Sequence, residues 1–350
     1  MVYFYIFLTV LILTAILTII VRKIALYFNI IDRPDLGSTQ TRKIHSRAVP
    51  LLGGVAIFIA YFLALFFQAD RFLAGNLNWP QLIGFFAGAL VLIIGGFLDD
   101  KYNLQPKLQI IFPLLAILAV ILGGVEIAKI TNPFGGIINL KSLVFISPLL
   151  ITGWLLGMMY TTKLLDGVDG LVSGMSAIGG LVIFLFTLTT RYYQPDIALA
   201  ALILMAVCVG FLIFNFNPAK IFLGEGGSLL LGYILGVLAI ISGGKIAIAL
   251  LVMGIPVLDV IWTIVRRLIQ GKNPLKSPDR KHLHYRLLEL GLSQKQTVLI
   301  FYFLSLLFGL SGLFLQSKGK FWALVILVLT MLAIVISFSY LDRKSKKVKI

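Results

Sequence analysis

"TTKLLDGVDGLVSG", residues 161–174, lies between two stretches without a single charge, 143–160 and 172–190. Lys163, Asp166 and Asp169 therefore stand together at the mouth of two apolar runs, with two Asp-Gly pairs among them. A charge near hydrocarbon costs kilocalories, so an ionisable cluster in such a place reads as a functional site. The competing reading is a polar turn that caps two membrane helices, because Asp and Gly are ordinary turn residues. What decides between them is the company the segment keeps.

The chain around it has 350 residues, of which 59% are hydrophobic and 13% charged, with a mean hydropathy of +1.02. Soluble proteins carry about 25% charged residues, so the composition excludes a soluble globular domain. It indicates an all-α polytopic integral membrane protein. Eleven apolar runs have the length a transmembrane helix needs: 3–21, 51–68, 81–98, 106–124, 143–160, 173–190, 197–214, 226–242, 246–265, 297–316 and 321–340. The 226–242 run is the weakest, being short and Gly-rich. No soluble domain with its own core fits between the runs, so 1–350 reads as one transmembrane domain with a basic tail at 343–350. The N-terminal run lacks a basic leader and a small-residue cleavage site, and reads as a span rather than a cleavable signal. Cys208, the single cysteine, lies in an apolar run and makes no disulfide framework. Pro256 is expected to kink the ninth run, and Trp79 and Trp322 read as interfacial anchors.

The formal charge of +16 follows the membrane rather than a nucleic acid. With the N-terminus outside, 23 of the 30 Lys and Arg residues fall near the inner face and 7 outside. The positive-inside rule then predicts an N-out, C-in, multi-pass protein of the cytoplasmic (inner) cell membrane. The tail "DRKSKKVKI" reads as a juxtamembrane patch on anionic lipid.

Only 14 acidic residues exist, which makes their placement informative. Asp99 and Asp100 end "IIGGFLDDKYN", Asp166 and Asp169 occupy the opening segment, and Glu225 lies in "NFNPAKIFLGEGGS". In the predicted topology, three separate loops present carboxylates at one membrane face. Adjacent carboxylates repel unless a cation or proton is held between them. Hard oxygen ligands suit Mg²⁺, with Mn²⁺ as a substitute, and Mg²⁺ commonly takes one or two carboxylates plus substrate phosphates. On the same face, "TRKIHSRAVPLLGG" and "RKHLHYRLLELG" bring Lys43, His45, Arg280, His282 and His284, residue types that suit phosphate. A zinc site on His282 and His284 lacks further ligands. Asp259, inside an apolar run, is a functional candidate by default. Together these features point to phosphoryl transfer involving a lipid.

Five blocks, "RKIHSRAVPLLGG", "GFLDD", "LLDGVDGL", "NFNPAKIFLGEGGSLLLGY" and "HLHYRLLELG", stand in an order that resembles the polyprenyl-phosphate N-acetylhexosamine-1-phosphate transferases. The resemblance covers essentially the whole chain. It implies that Asp99 and Asp100 are the catalytic acidic pair and that Asp100, Asp169 and Glu225 hold the metal. It places Lys163, Asp166, Asn215 and Phe222 at the nucleotide sugar, and Lys43, His45, Arg280, His282 and His284 at phosphate and lipid phosphate. The implied partners are polyprenyl phosphate, a UDP-N-acetylhexosamine and membrane lipid, with no nucleic acid, and the resemblance is compatible with a homodimer. "HLHYRLL" is closer to the UDP-N-acetylglucosamine branch than to the muramoyl-pentapeptide branch.

Two positions depart from the family pattern. Lys163 stands where Asn is usual, and Glu225 stands where Asp is usual. Their charges are complementary, and an ion pair between them is expected to compete with a bound metal. A catalytically impaired relative therefore stays open as an alternative. So does a transporter, although a transporter's acids belong near the bilayer midplane.

Overall fold

The computed structural model describes residues 1–34, 47–75, 77–140, 145–189, 193–243, 246–271 and 281–348, with side chains to residue 338. Of the described residues, 77% are helical. It runs α1 (Val2–Tyr27), β1 (Ile31–Asp32), β2 (Val49–Pro50), α2 (Gly53–Phe67), α3 (Ala69–Phe72), α4 (Trp79–Tyr102), α5 (Pro106–Gln109) and α6 (Ile111–Leu122). A hairpin of β3 (Lys129–Thr131) and β4 (Ile137–Asn139) leads to α7 (Ile146–Leu165), α8 (Leu171–Thr187), α9 (Pro195–Asn215) and α10 (Gly224–Ile241). Then follow α11 (Ile246–Ile269), α12 (Leu283–Glu289), α13 (Gln294–Phe314) and α14 (Ser317–Val348).

Every one of the apolar runs is helical, but they are not equivalent. Seven helices, α1, α4, α9, α10, α11, α13 and α14, are long and apolar enough to cross a membrane. The runs at 51–68, 106–124 and 173–190 become the shorter apolar helices α2, α5 with α6, and α8. The 15 residues of α2 reach about 22 Å at 1.5 Å per residue, against a hydrocarbon core of about 30 Å. α7 has 20 residues and is diluted by Thr152, Thr161, Thr162 and Lys163. Pro256 lies within α11, which continues through it.

Two small antiparallel ladders interrupt the helical pattern. β1 and β2 pair Ile31 with Pro50 and Asp32 with Val49. The segment "NPFGGIINL" closes the β3–β4 hairpin, in which Lys129 faces Asn139. Gly135 and Gly136, at φ 134° and 83°, supply the reversal.

The weakest run turns out to be the centre of the molecule. In α10, 89% of the apolar window is buried within the protein, compared with 28% in α1 and 17% in α14. Its glycines explain this placement. Gly226 backs onto Gly96 of α4, and Gly227 onto Gly54 of α2, so closely that a methyl group would collide with the facing backbone. In lipid, where no hydrophobic gain drives helices together, such small-residue contacts let backbones approach. Phe4, Ile12 and Ile16 of α1, and Leu329 and Ile336 of α14, point outward, as hydrocarbon-facing side chains must.

The same packing aligns helix ends. Phe222 N donates to Pro50 O at 2.9 Å, Gly53 N to Phe222 O at 2.9 Å, and Gly54 N to Leu223 O at 2.8 Å. These bonds lock the start of α10 beside the start of α2, next to the last turn of α4.

Candidate active site

At that end of the bundle the C-terminal ends of α4, α7 and α9 meet the N-terminal ends of α8 and α10. Between them lies a cleft of about 790 Å³. Asp99, Asp100, Asp166, Asp169, Asn215, Phe222 and Glu225 all line it, joined by Gln109 and Tyr285. Residues 161–174 thus do both things their sequence allowed. They turn the chain from α7, capped by Asp166, into α8 through Gly170 at φ 80°, and they supply two cleft carboxylates.

One wall is tightly connected. Asp99 Oδ1 accepts Leu104 N at 2.8 Å and Gln109 Nε2 at 3.1 Å. Gln109 also donates to Leu104 O at 3.1 Å, and its own Oε1 accepts from Lys163 Nζ at 3.1 Å. Lys163 Nζ lies 2.7 Å from Glu225 Oε2, so the expected ion pair is present. Asp100 Oδ1 accepts Glu225 N at 3.1 Å. Gly224, at φ 73°, has to be glycine: a Cβ there would strain the backbone and strike the other oxygen of Asp100. Asp99 is therefore engaged with Leu104 and Gln109, whereas Asp100 meets the start of α10.

The opposite wall is held by amide and backbone donors. Asp169 Oδ2 accepts Asn217 Nδ2 at 2.9 Å and Ala219 N at 3.0 Å, and Asn217 also donates to Gln294 Oε1 at 3.0 Å. The Asp166 carboxyl is pushed up to about 8, first by burial and then by the charges of Glu225, Asp100 and Asp169. Asn215 forms the floor, accepting from Ser173 Oγ at 2.8 Å and donating to Ile221 O at 3.0 Å.

The histidines approach this wall from α12. His282 Nδ1 lies 2.8 Å from Asp259 Oδ2, and Asp259 Oδ1 accepts Leu283 N at 3.0 Å. A carboxylate can only accept, which puts the ring proton on Nδ1. Asp259 thus anchors α12 to α11. His284 is buried parallel to His282, at 5.8 Å between ring centroids, and against Tyr285 at 4.2 Å. Neither of its ring nitrogens has a hydrogen-bond partner among the described residues. Gly167 makes room for it, since a Cβ there would come within 3.0 Å of His284 Nε2. Burial, helped by His282, lowers His284 to about 3, so its ring is neutral at working pH. His284 lies behind Gly167, and Tyr285 is the α12 residue that lines the cleft. Lys43, His45 and Arg280 lie outside the described residues.

Gln109 and Asn217 were not anticipated from the sequence. The signal for Gln109 is a lone amide near the start of the run 106–124, two residues after Lys107. Asn217 offers only its place next to Pro218.

The cleft fits a divalent cation of a particular kind. Among the described residues no three His, Cys, Asp or Glu side chains converge on one point, so there is no preformed cage. The donors are hard carboxylate oxygens, and Asp166 is crowded by acids without matching positive charge. Such a set suits Mg²⁺ or Mn²⁺ held by one or two carboxylates and completed by substrate phosphates.

Comparison with known proteins matches a sequence model of glycosyl transferase family 4 over residues 82–243. The chain is 32% identical over 327 residues to a probable undecaprenyl-phosphate N-acetylglucosaminyl 1-phosphate transferase of Bacillus subtilis (strain 168), covering 92% of this chain and 87% of the relative. It is 30% identical over 342 residues to an undecaprenyl-phosphate alpha-N-acetylglucosaminyl 1-phosphate transferase of Thermotoga maritima, covering 97% of each. A decaprenyl-phosphate N-acetylglucosaminephosphotransferase of Mycolicibacterium smegmatis is 29% identical over 369 residues, covering 96% of this chain and 88% of the relative.

Proposed function

The chain belongs to the polyprenyl-phosphate N-acetylhexosamine-1-phosphate transferases, in glycosyl transferase family 4, and on that premise we propose that it transfers N-acetylglucosamine 1-phosphate from UDP-N-acetylglucosamine to a polyprenyl phosphate such as undecaprenyl phosphate. A phosphate oxygen of the lipid attacks the β-phosphorus of the nucleotide sugar, and the bond from that phosphorus to the oxygen leaving with UMP breaks. The products are polyprenyl-diphospho-N-acetylglucosamine and UMP. The step opens the synthesis of a cell-envelope glycopolymer, on the inner face of the cytoplasmic membrane, in a chain that crosses eleven times with its N-terminus outside.

The observation that carries this reading is the gathering of Asp100, Asp166, Asp169 and Glu225, from three separated segments, into one cleft at the end of an apolar bundle. Phosphoryl transfer asks for positioning and charge stabilisation more than for covalent catalysis. Asp100 is the carboxylate that aligns and deprotonates the lipid phosphate, with Asp99 positioning Gln109 and Lys163 behind it. Asn215 and Phe222 form the surface for the nucleotide sugar, and neutral His284 packs behind Gly167 against Tyr285, which lines the cleft beside them. Asp100 and Asp166 are the residues that would hold Mg²⁺, assisted by Asp169. When bound, the ion supplies charge neutralisation on the diphosphate. The sugars in the names of the Bacillus and Thermotoga relatives support N-acetylglucosamine.

Purified protein in detergent, given UDP-N-acetylglucosamine and polyprenyl phosphate, should release UMP only when the lipid is present, and EDTA should stop it. UDP-N-acetylmuramoyl-pentapeptide, the alternative donor, should release none. UMP at the level of the lipid-free blank with UDP-N-acetylglucosamine would overturn the assignment.

A further inference from the structure

Lys163 and Glu225 raise a question that the transfer reaction leaves open: which positive charge does Glu225 serve? The pair is built from two elements. Lys163 stands in the last turn of α7 and Glu225 in the first turn of α10, and their charged atoms are 2.7 Å apart. The arrangement is supported on both sides. Gln109 is oriented by giving its amide N–H to Asp99 and to Leu104 O, which leaves its oxygen facing the Lys163 ammonium. Glu225 is fixed through its backbone N–H to Asp100. The Lys163 side chain is 19% exposed and that of Glu225 36%, while the Glu225 oxygen that meets Lys163 is itself buried.

We propose that Lys163 is a built-in counterion that keeps Glu225 out of the divalent-cation ligand set. The inference rests on the reading of the cleft as a divalent-cation site. An ammonium and a divalent cation on one carboxylate repel each other at contact distance. The ion is therefore left to Asp100 and Asp166, and its affinity is set by the strength of the Lys163–Glu225 pair. A solvated bystander pair, which is the commonest fate of partly exposed ion pairs, would leave metal affinity untouched.

The two outcomes separate in a substrate-free titration of the purified protein with Mn²⁺, followed by electron paramagnetic resonance. Lys163→Gln frees the Glu225 carboxylate and should tighten Mn²⁺ binding about tenfold, the size of effect one added nearby charge exerts. Lys163→Arg keeps a cation opposite Glu225 and should stay within about twofold of wild type. The double variant Lys163→Gln with Glu225→Gln replaces a neutral pair by a neutral pair, and should return to within about threefold of wild type. Unchanged or weaker binding in Lys163→Gln would overturn the proposal. So would a double variant that binds tenfold or more weakly than wild type, because Glu225 would then already be a ligand. If wild type binds Mn²⁺ and the variants do not differ, the counterion role fails while the transfer reaction stands. If no variant binds Mn²⁺, the metal reading of the cleft fails with it.

Discussion

The two walls of the cleft are made of the same residue type and are held by different partners. On the α4–α10 side, Asp99 is bonded to Leu104 and Gln109, Gln109 to Lys163, and Glu225 lies against Lys163. On the 166–169 side, Asp169 is held by Asn217 and the backbone, while Asp166 faces three other acids and has its carboxyl raised to about 8. The difference lies in the donors: a lysine ammonium takes part in the first network, and amide and backbone N–H groups hold Asp169 in the second.

The largest expected effect tests the asymmetry inside the connected wall. Asp100→Asn removes the carboxylate assigned to the lipid phosphate and should lower kcat by about 10²–10⁴-fold, the usual loss for a positioned base. Asp99→Asn still offers an oxygen to Leu104 and Gln109, and should cost about tenfold or less. Equal losses in the two variants would erase the distinction between them.

A smaller effect sharpens the contrast on the other wall, where His284 lies behind Gly167. Its native pKa near 3 lies below the ordinary histidine value of about 6.5. Between those values the unfolded chain binds a proton that the folded one does not. Its contribution is therefore complete above about pH 6.5 and is lost as the pH falls, by about 2 kcal/mol at pH 5. Wild-type Tm in detergent should drop between pH 7.5 and 5, and His284→Gln should flatten that drop. An identical pH dependence in both proteins would show that His284 is protonated in the fold.

How much of this could be read from the chain depended on rarity. With only 14 acids in 350 residues, Asp100, Asp166, Asp169 and Glu225 stood out against an apolar background, and the complementary charges of Lys163 and Glu225 announced their pairing. The difference between Asp99 and Asp100 was not legible, because neighbours on a helix diverge by about 100° and only the surrounding elements decide which partners each of them meets. Gln109 was invisible for a related reason: its role needs α4, α5 and α7 to meet. Hydropathy misjudged 226–242 because it reports preference for lipid. That segment is enclosed by protein, through glycines that lower its apparent apolarity.

The most direct measurement follows the β-phosphorus. Purified protein supplied with UDP-N-acetylglucosamine carrying ³²P in the β-phosphate, and with polyprenyl phosphate, should move the label into the lipid fraction in step with UMP release, leaving the UMP unlabelled. Label that stays in the aqueous phase, as UDP, N-acetylglucosamine 1-phosphate or inorganic phosphate, would contradict the account.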